Sequence, residues 1–96
     1  MRVSNLIKKF CEENSDRYYV YEKYSGRFMF GKTCLGIVVK NGFSHMEMLI
    51  KLTEYMNGVD LSGAELEFSE GVSVDELGLD MIVYFPKING NWFFWL

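Results

Sequence analysis

The chain is poor in the residues that carry most metal and nucleophilic chemistry. It has one histidine, two cysteines and one proline in 96 residues. A lone histidine, His45, restricts any Ser-His-Asp or Cys-His arrangement. Cys11 and Cys34 lack metal-ligand spacing and read as buried apolar thiols, with a disulfide left open. There is no G-x-S-x-G elbow. No apolar run approaches the ~20 residues a membrane-spanning helix needs. Residues 1–15 carry Lys8, Lys9, Glu12 and Glu13, where a signal peptide would be apolar. These absences lead to the expectation of a cytoplasmic, non-enzymatic protein without cofactor, metal or membrane contact.

Positive charge is the other scarcity. No Lys or Arg lies between Lys51 and Lys87. Residues 52–96 hold one Lys against eight Asp and Glu (−7), whereas residues 1–51 hold nine Lys and Arg against five acids (+4). An asymmetry of this kind marks either a solvated face or an interaction surface. With a net charge of −3 and no basic stripe, direct nucleic-acid binding is not expected.

What is present is apolar: 49% hydrophobic and 17% aromatic residues. That composition predicts one compact domain over residues 1–96, burying about 60–68% of its unfolded surface. The organising stretch is 25–42, SGRFMFGKTCLGIVVKNG. Its run Cys34-Leu35-Gly36-Ile37-Val38-Val39 is short, rich in β-branched residues and bounded by turn signals, which predicts a strand buried on both faces at the centre of a sheet. Gly26, Gly31, Lys32 and Thr33 also satisfy the phosphate-binding pattern G-x-x-x-x-G-K-[ST]. That loop needs small residues and a following helix. Here Arg27-Phe28-Met29-Phe30 fills the interval and a β-like run follows, so the pattern predicts a turn and strand entry.

In chain order, Ser4 is the expected N-cap of a helix over 3–14. Its stripe is Val3, Leu6, Ile7, Phe10 and Cys11, with Lys8–Glu12 and Lys9–Glu13 as i,i+4 pairs. Residues 17–24 predict an edge strand. Alternation puts Tyr18, Val20, Glu22 and Tyr24 on one face, with tyrosine hydroxyls in water. Residues 28–30 read as a further strand piece, with Gly31 or Gly36 marking a bulge. A second helix is predicted over 45–57. It opens with a Ser44/Glu47 capping box and a Phe43–Met48 staple, carries Met48, Leu52, Tyr55, Met56 and Val59 on its inner side, and stops at Gly58. His45 is read as a helix-start residue. Ala64, Leu66 and Phe68 alternate inward against outward Glu65 and Glu67. Residues 73–77 predict a helical turn, and 79–85 a strand. Asn89-Gly90 predicts a hairpin pairing 81–88 with 91–96. The expected architecture is α+β: an antiparallel-rich sheet of four to five strands, two helices packed on it and a C-terminal hairpin.

The segment Ser25-Gly26-Arg27-Phe28-Met29-Phe30-Gly31-Lys32-Thr33-Cys34 resembles a Ser-Gly-Arg-x-Met-x-Gly-x-x-Cys segment of small proteins encoded by bacteriophages and related mobile elements. The resemblance covers about ten residues and implies an accessory gene product, with counter-defence (anti-CRISPR-like) inhibitors among that group. It implies no residue roles.

Three functional readings follow. In the first, a protein partner with a basic nucleic-acid-binding groove is docked by the acidic residues Glu65, Glu67, Glu70, Asp75, Glu76 and Asp80, with exposed aromatics as anchors. The second is an anionic-ligand or nucleotide site at Ser25, Gly26, Arg27 and Lys32. The third is a homodimer through the tail residues Trp92, Phe94 and Trp95.

Overall fold

The computed structural model describes residues 2–40, 42–70 and 79–92, with the backbone alone for 68–70, 79 and 80. In chain order the elements are α1 (Val3–Glu13), β1 (Tyr18–Tyr24), one 3-10 turn (Arg27–Met29), β2 (Cys34–Val39), α2 (His45–Tyr55), β3 (Glu65–Glu70), β4 (Leu79–Tyr84), β5 (Lys87–Ile88) and β6 (Asn91–Trp92). Strands β1-β2-β4-β3 form an antiparallel sheet in that order, and β5 and β6 form a separate hairpin. The architecture is therefore α+β, with two helices, four main strands and a hairpin among the described residues. β2 runs through the sheet interior with all six residues buried, as its unbroken apolar character requires.

Both helices contribute to one core. Ile7, Phe10 and Cys11 of α1 and Met48, Leu52 and Met56 beside them on α2 and its end pack with Tyr18, Ile37, Val39, Val83 and Phe85. Helix α1 begins one residue before the expected cap. The Arg2 carbonyl accepts from the Asn5 and Leu6 amides at 3.0 and 3.1 Å, and no side chain caps the end. Ser4 is thus inside the first turn. Starting there brings Val3 against the core, a burial gain of the same order as the ~1 kcal/mol a cap supplies. Lys8 bridges to Glu22 of β1 at 2.8 Å instead of to Glu12. Helix α2 keeps half of its capping box. The Ser44 hydroxyl accepts from the Glu47 amide at 3.2 Å, but the Glu47 carboxylate turns to Lys51 (3.0 Å) and Arg17 (3.3 Å). Phe43, expected as a staple, is 40% exposed with the Arg17 guanidinium 5.3 Å from its ring centre. The helix ends at Tyr55, two residues short of expectation, and Gly58 turns the chain at φ 88°.

A second, smaller cluster lies on the opposite face of the sheet: Tyr24, Met29, Cys34, Val38, Ile82 and Tyr84, with Tyr19 against it. Tyr24 was expected beside Tyr18. The register passes from Tyr21↔Gly36 to Tyr24↔Cys34, so β1 carries one extra residue, and Lys23 sits at φ 60°. One inserted residue exchanges the faces of everything beyond it. Tyr24 consequently leaves the helix-side core that Tyr18 and Val20 join, for the opposite cluster; the Tyr18 hydroxyl, expected in water, is buried and has no hydrogen-bond partner among the described residues.

Residues 28–30 form the end of the 3-10 turn, not a strand piece. Phe30 and Gly31 have φ of 51° and 80°, two successive left-handed residues that end an extended run and do not continue it. The Asn89-Gly90 turn has φ of 54° and 77°, the positive pair a two-residue hairpin turn uses. Among the described residues it joins Lys87–Ile88 to Asn91–Trp92. Residues 81–84, expected in that hairpin, pair with β2 and β3. Pro86, which has no amide to donate, separates the two stretches. The hairpin is tied to the loop after α2, where the Asn89 amide donates to the Asp60 carbonyl at 3.0 Å and the Asp60 amide donates to Asn89 Oδ1. The expected helical turn over 73–77 and the tail 93–96 lie outside the described residues.

Candidate functional site

Leaving the bulge in β1, the chain does not turn straight back into the neighbouring β2 but passes over the second face of the sheet as far as β4. It does so directly over Tyr84. A Cβ on Gly26 would lie 2.4 Å from the Tyr84 ring, so only glycine lets the backbone lie on that ring. The 3-10 turn then closes, with the Met29 amide donating to the Gly26 carbonyl at 3.1 Å and the Lys32 amide to the Met29 carbonyl at 2.9 Å. Met29 is fully buried beneath the turn. Gly36 makes room from the other side: a Cβ there would stand 3.0 Å from Ile82 Cγ2 and 3.4 Å from Tyr24. Tyr24 and Tyr84 meet at 5.1 Å between ring centres.

The Tyr84 hydroxyl receives the backbone amides of Phe28 and Arg27. Burial raises its pKa above the usual tyrosine value; the Phe28 amide opposes that, the Glu67 and Glu65 carboxylates reinforce it, and the Arg27 amide opposes it. The amides that a phosphate loop would aim at an anion are therefore directed at a side chain of the protein itself. This detail separates the turn from the pattern it satisfies. Of the anion-site set, Ser25, Arg27 and Lys32 are exposed and Gly26 is half-buried under contact with Tyr84.

Arg27 lies with the acidic set. A cleft of about 100 Å³ is lined by Arg27, Phe28, Glu65, Leu66, Glu67 and Tyr84. The register Glu65↔Tyr84 and Glu67↔Ile82 puts both carboxylates on the face that carries the second cluster, and both residues are half-buried. They were expected to be outward and solvated; the crossing turn partly covers them. Leu66, expected inward, is 42% exposed at this outer strand. Glu70 and Asp80 occupy the far end of the β3–β4 ladder, opposite Leu79 and Ser69, and their side chains lie outside the described residues. Asp75 and Glu76 lie outside them altogether.

Beside this cleft stands an aromatic group. Phe28 is 44% exposed and Phe30 is 74% exposed. The Phe30 ring meets Trp92 edge-on at 5.6 Å, and the Lys87 ammonium sits 4.6 Å from the Trp92 ring centre. A second cleft, about 250 Å³, is lined by Phe28, Gly63, Glu65, Pro86, Lys87 and Trp92. Of the tail set only Trp92 is described; Phe94 and Trp95 are not. Phe30 combines two unfavourable features, a left-handed backbone that costs an L-residue ~1–2 kcal/mol and a large apolar ring in water. Outliers of this kind cluster at functional positions. Sequence reasoning had one usable signal for it: Phe-Gly at a turn, where glycine would have been easier at both positions.

Cys11 and Cys34 are free thiols in separate clusters on opposite faces of the sheet. Burial pushes Cys11 to about 12; it pushes Cys34 to about 11 against a Phe85 backbone hydrogen bond that favours the thiolate. Neither is activated for nucleophilic chemistry. Among the described residues no group of three or more His, Cys, Asp or Glu is placed to hold a metal ion, and no helix is long and apolar enough to cross a membrane.

Comparison with protein-family models, with curated proteins and with solved structures found no match. The functional reading therefore stands on the geometry of this site.

Proposed function

We propose that the protein is a non-enzymatic binding module that docks Phe28, Phe30 and the carboxylates of Glu65 and Glu67 onto a basic surface of a protein partner. The carrying observation is the exposed ring of Phe30, held in a left-handed turn beside an acidic cleft. Aromatic anchors ringed by polar groups supply most of the energy of protein interfaces, and complementary charge sets the rate and choice of partner. Arg27 shares the first cleft with both carboxylates and Lys87 shares the second with Glu65, so a partner's lysines and arginines would compete with these two cations for the pair. A partner whose basic groove normally holds nucleic acid fits this chemistry. The resemblance of residues 25–34 to phage-encoded segments gives the reading its specific form, a counter-defence inhibitor acting in the host cell. The anion-site reading is less favoured because the turn amides are engaged by Tyr84.

The test is capture of a partner from the natural host, followed by titration of the purified pair with and without the partner's nucleic acid. Phe30→Ala and the double change Glu65→Lys with Glu67→Lys should each weaken the complex by about tenfold or more, and nucleic acid should compete. Unchanged affinity in both variants would remove the reading. Calorimetry with a nucleotide panel should give no saturable heat; a signal abolished by Arg27→Ala would transfer the function to the turn.

A further inference from the structure

Among the described residues the main sheet ends in β1 on one side and β3 on the other, and the two edges are finished differently. On β1 the ladder is interrupted by the bulge at Lys23, and the Lys8–Glu22 ion pair at 2.8 Å ties the strand to α1. Bulges and charged side chains of this kind blunt an edge against further pairing. On β3, Glu65 to Glu70 hold an unbroken register with β4, and no described strand lies beyond them.

Which backbone groups face outward follows from the registers. The Lys40 amide donates to the Arg17 carbonyl at 2.9 Å. The adjacent pair Tyr18↔Val39 is therefore a non-hydrogen-bonded one, and Tyr19↔Val38 and Tyr21↔Gly36 are hydrogen-bonded. Successive residues send their N–H and C=O groups to opposite sides, so β2 offers Ile37 and Val39 to Val83 and Met81 of β4. β4 in turn offers Asp80, Ile82 and Tyr84 to Ser69, Glu67 and Glu65 of β3. The N–H and C=O groups of Leu66, Phe68 and Glu70 are left pointing outward. Such a row is a template for one more strand. The Leu66 side chain, still 42% exposed although it lies on the helix-covered face with Val83, would be covered by the same addition.

Charge selects the occupant. β3 carries three glutamates and no cation in its sequence ELEFSE, so pairing it with a second copy would gather the glutamates of both strands in one ladder. Glu65 and Glu67 share clefts with Arg27 and Lys87, yet neither carboxylate forms an ion pair among the described residues. We infer that the outer edge of β3 accepts an extended basic segment of a partner protein as a fifth strand, antiparallel to β3. Lysine or arginine at alternate positions stands opposite Glu65 and Glu67, and the apolar residues between them lie beside Leu66. The inference rests on the reading of Glu65 and Glu67 as docking carboxylates, and adds the backbone ladder that engages them.

Synthetic peptides test it: one of alternating lysine and valine, one with glutamate for lysine, and the lysine peptide with every valine N-methylated. The valine amides face β3 when the lysines stand opposite the glutamates, so methylation removes the ladder and keeps the charge. Fluorescence anisotropy should show saturable binding of the lysine peptide, weakened about tenfold or more by either change. In the free protein the Leu66 and Phe68 amides should exchange hydrogen at the rate of exposed groups, and the lysine peptide should slow both about tenfold or more. The Glu65 and Glu67 amides should be protected throughout. Leu66→Pro removes an outward N–H at a position where an edge strand tolerates proline; it should abolish binding with the circular dichroism unchanged. Failure of the lysine peptide to bind, equal binding of the methylated or glutamate peptide, or Leu66 and Phe68 amides already slow in the free protein would overturn the proposal. A dimer in sedimentation equilibrium that Leu66→Pro dissolves would overturn it too, by assigning the edge to a second copy. These outcomes leave the docking reading standing; that reading falls if a captured partner is indifferent to Phe30→Ala and to the Glu65→Lys, Glu67→Lys double change.

Discussion

The two faces of the central sheet are covered by different means. One is roofed by α1 and α2, whose side chains join those of β1, β2 and β4 and the β5 hairpin in a cluster of fourteen buried residues among those described. The other is closed at one end, among the described residues, by a single turn, with Met29 inserted and Gly26 lying on Tyr84, in a cluster of six. The first face is generic packing, in which many apolar residues of similar size would serve. The second depends on a few specific contacts, and it presents the exposed Phe30 and the half-buried Glu65 and Glu67. The proposed docking residues thus belong to the face held by the crossing turn.

The sharpest way to break this contrast is to delete side chains on each face. Phe85→Ala, in the helix-roofed core, should cost about 3–5 kcal/mol in denaturant unfolding. Met29→Ala should cost about 2–5 kcal/mol by the same cavity argument. Hydrogen exchange separates the two cases. The Met29 change should release amides of residues 26–32 before the rest, whereas the Phe85 change should lower protection throughout. Uniform loss in both would show that the faces form one cooperative unit. Gly26→Ala pushes a methyl into the Tyr84 ring and should destabilise by about 1–3 kcal/mol, with Tyr84→Leu as a second-site change that restores part of the loss.

Two chemical probes give smaller effects. Tyr84 has a pKa above the ordinary tyrosine value because it is buried and faces Glu67 and Glu65. An acid whose folded pKa is raised contributes stability that is complete below its unfolded pKa, near 10 for tyrosine, and is lost as pH rises through the folded value. Stability should therefore fall on the alkaline side, and Tyr84→Phe should flatten that fall. A profile identical in the variant would show that the phenol is not the group responsible. Alkylation should leave Cys11 and Cys34 untouched in the native protein at neutral pH and modify both in denaturant. The smallest change expected is Tyr18→Phe, which removes a buried hydroxyl without a partner and should be neutral or slightly stabilising.

Much of the helix-roofed face was legible in the sequence. The stripes of α1 and α2 follow from helical spacing, and β2 from six successive buried positions that need no alternation to interpret. The second face was not, because its organisation depends on contacts distant in the chain. Nothing local to residues 17–24 announces the extra residue at Lys23, and without it Tyr24 is assigned to the wrong side. Nothing local to Gly26 names Tyr84 as the ring it must accommodate, although 58 positions separate them. The site shared this fate. Glu65 and Glu67 were visible as a pair, but their cleft with Arg27 exists only once the turn is folded over β4. The exposure of Met46 and Ile50 on α2 went unremarked for a different reason: once Met48 and Leu52 explain a helix, its other apolar residues look like tolerated exceptions.

The left-handed backbone at Phe30 has one more consequence. Glycine there would relieve the torsion and remove the exposed ring, at the loss of its edge contact with Trp92. If the proposed docking role holds, backbone torsion and recognition pull this position in opposite directions, and phenylalanine should be retained in diverging copies only where a partner uses the ring.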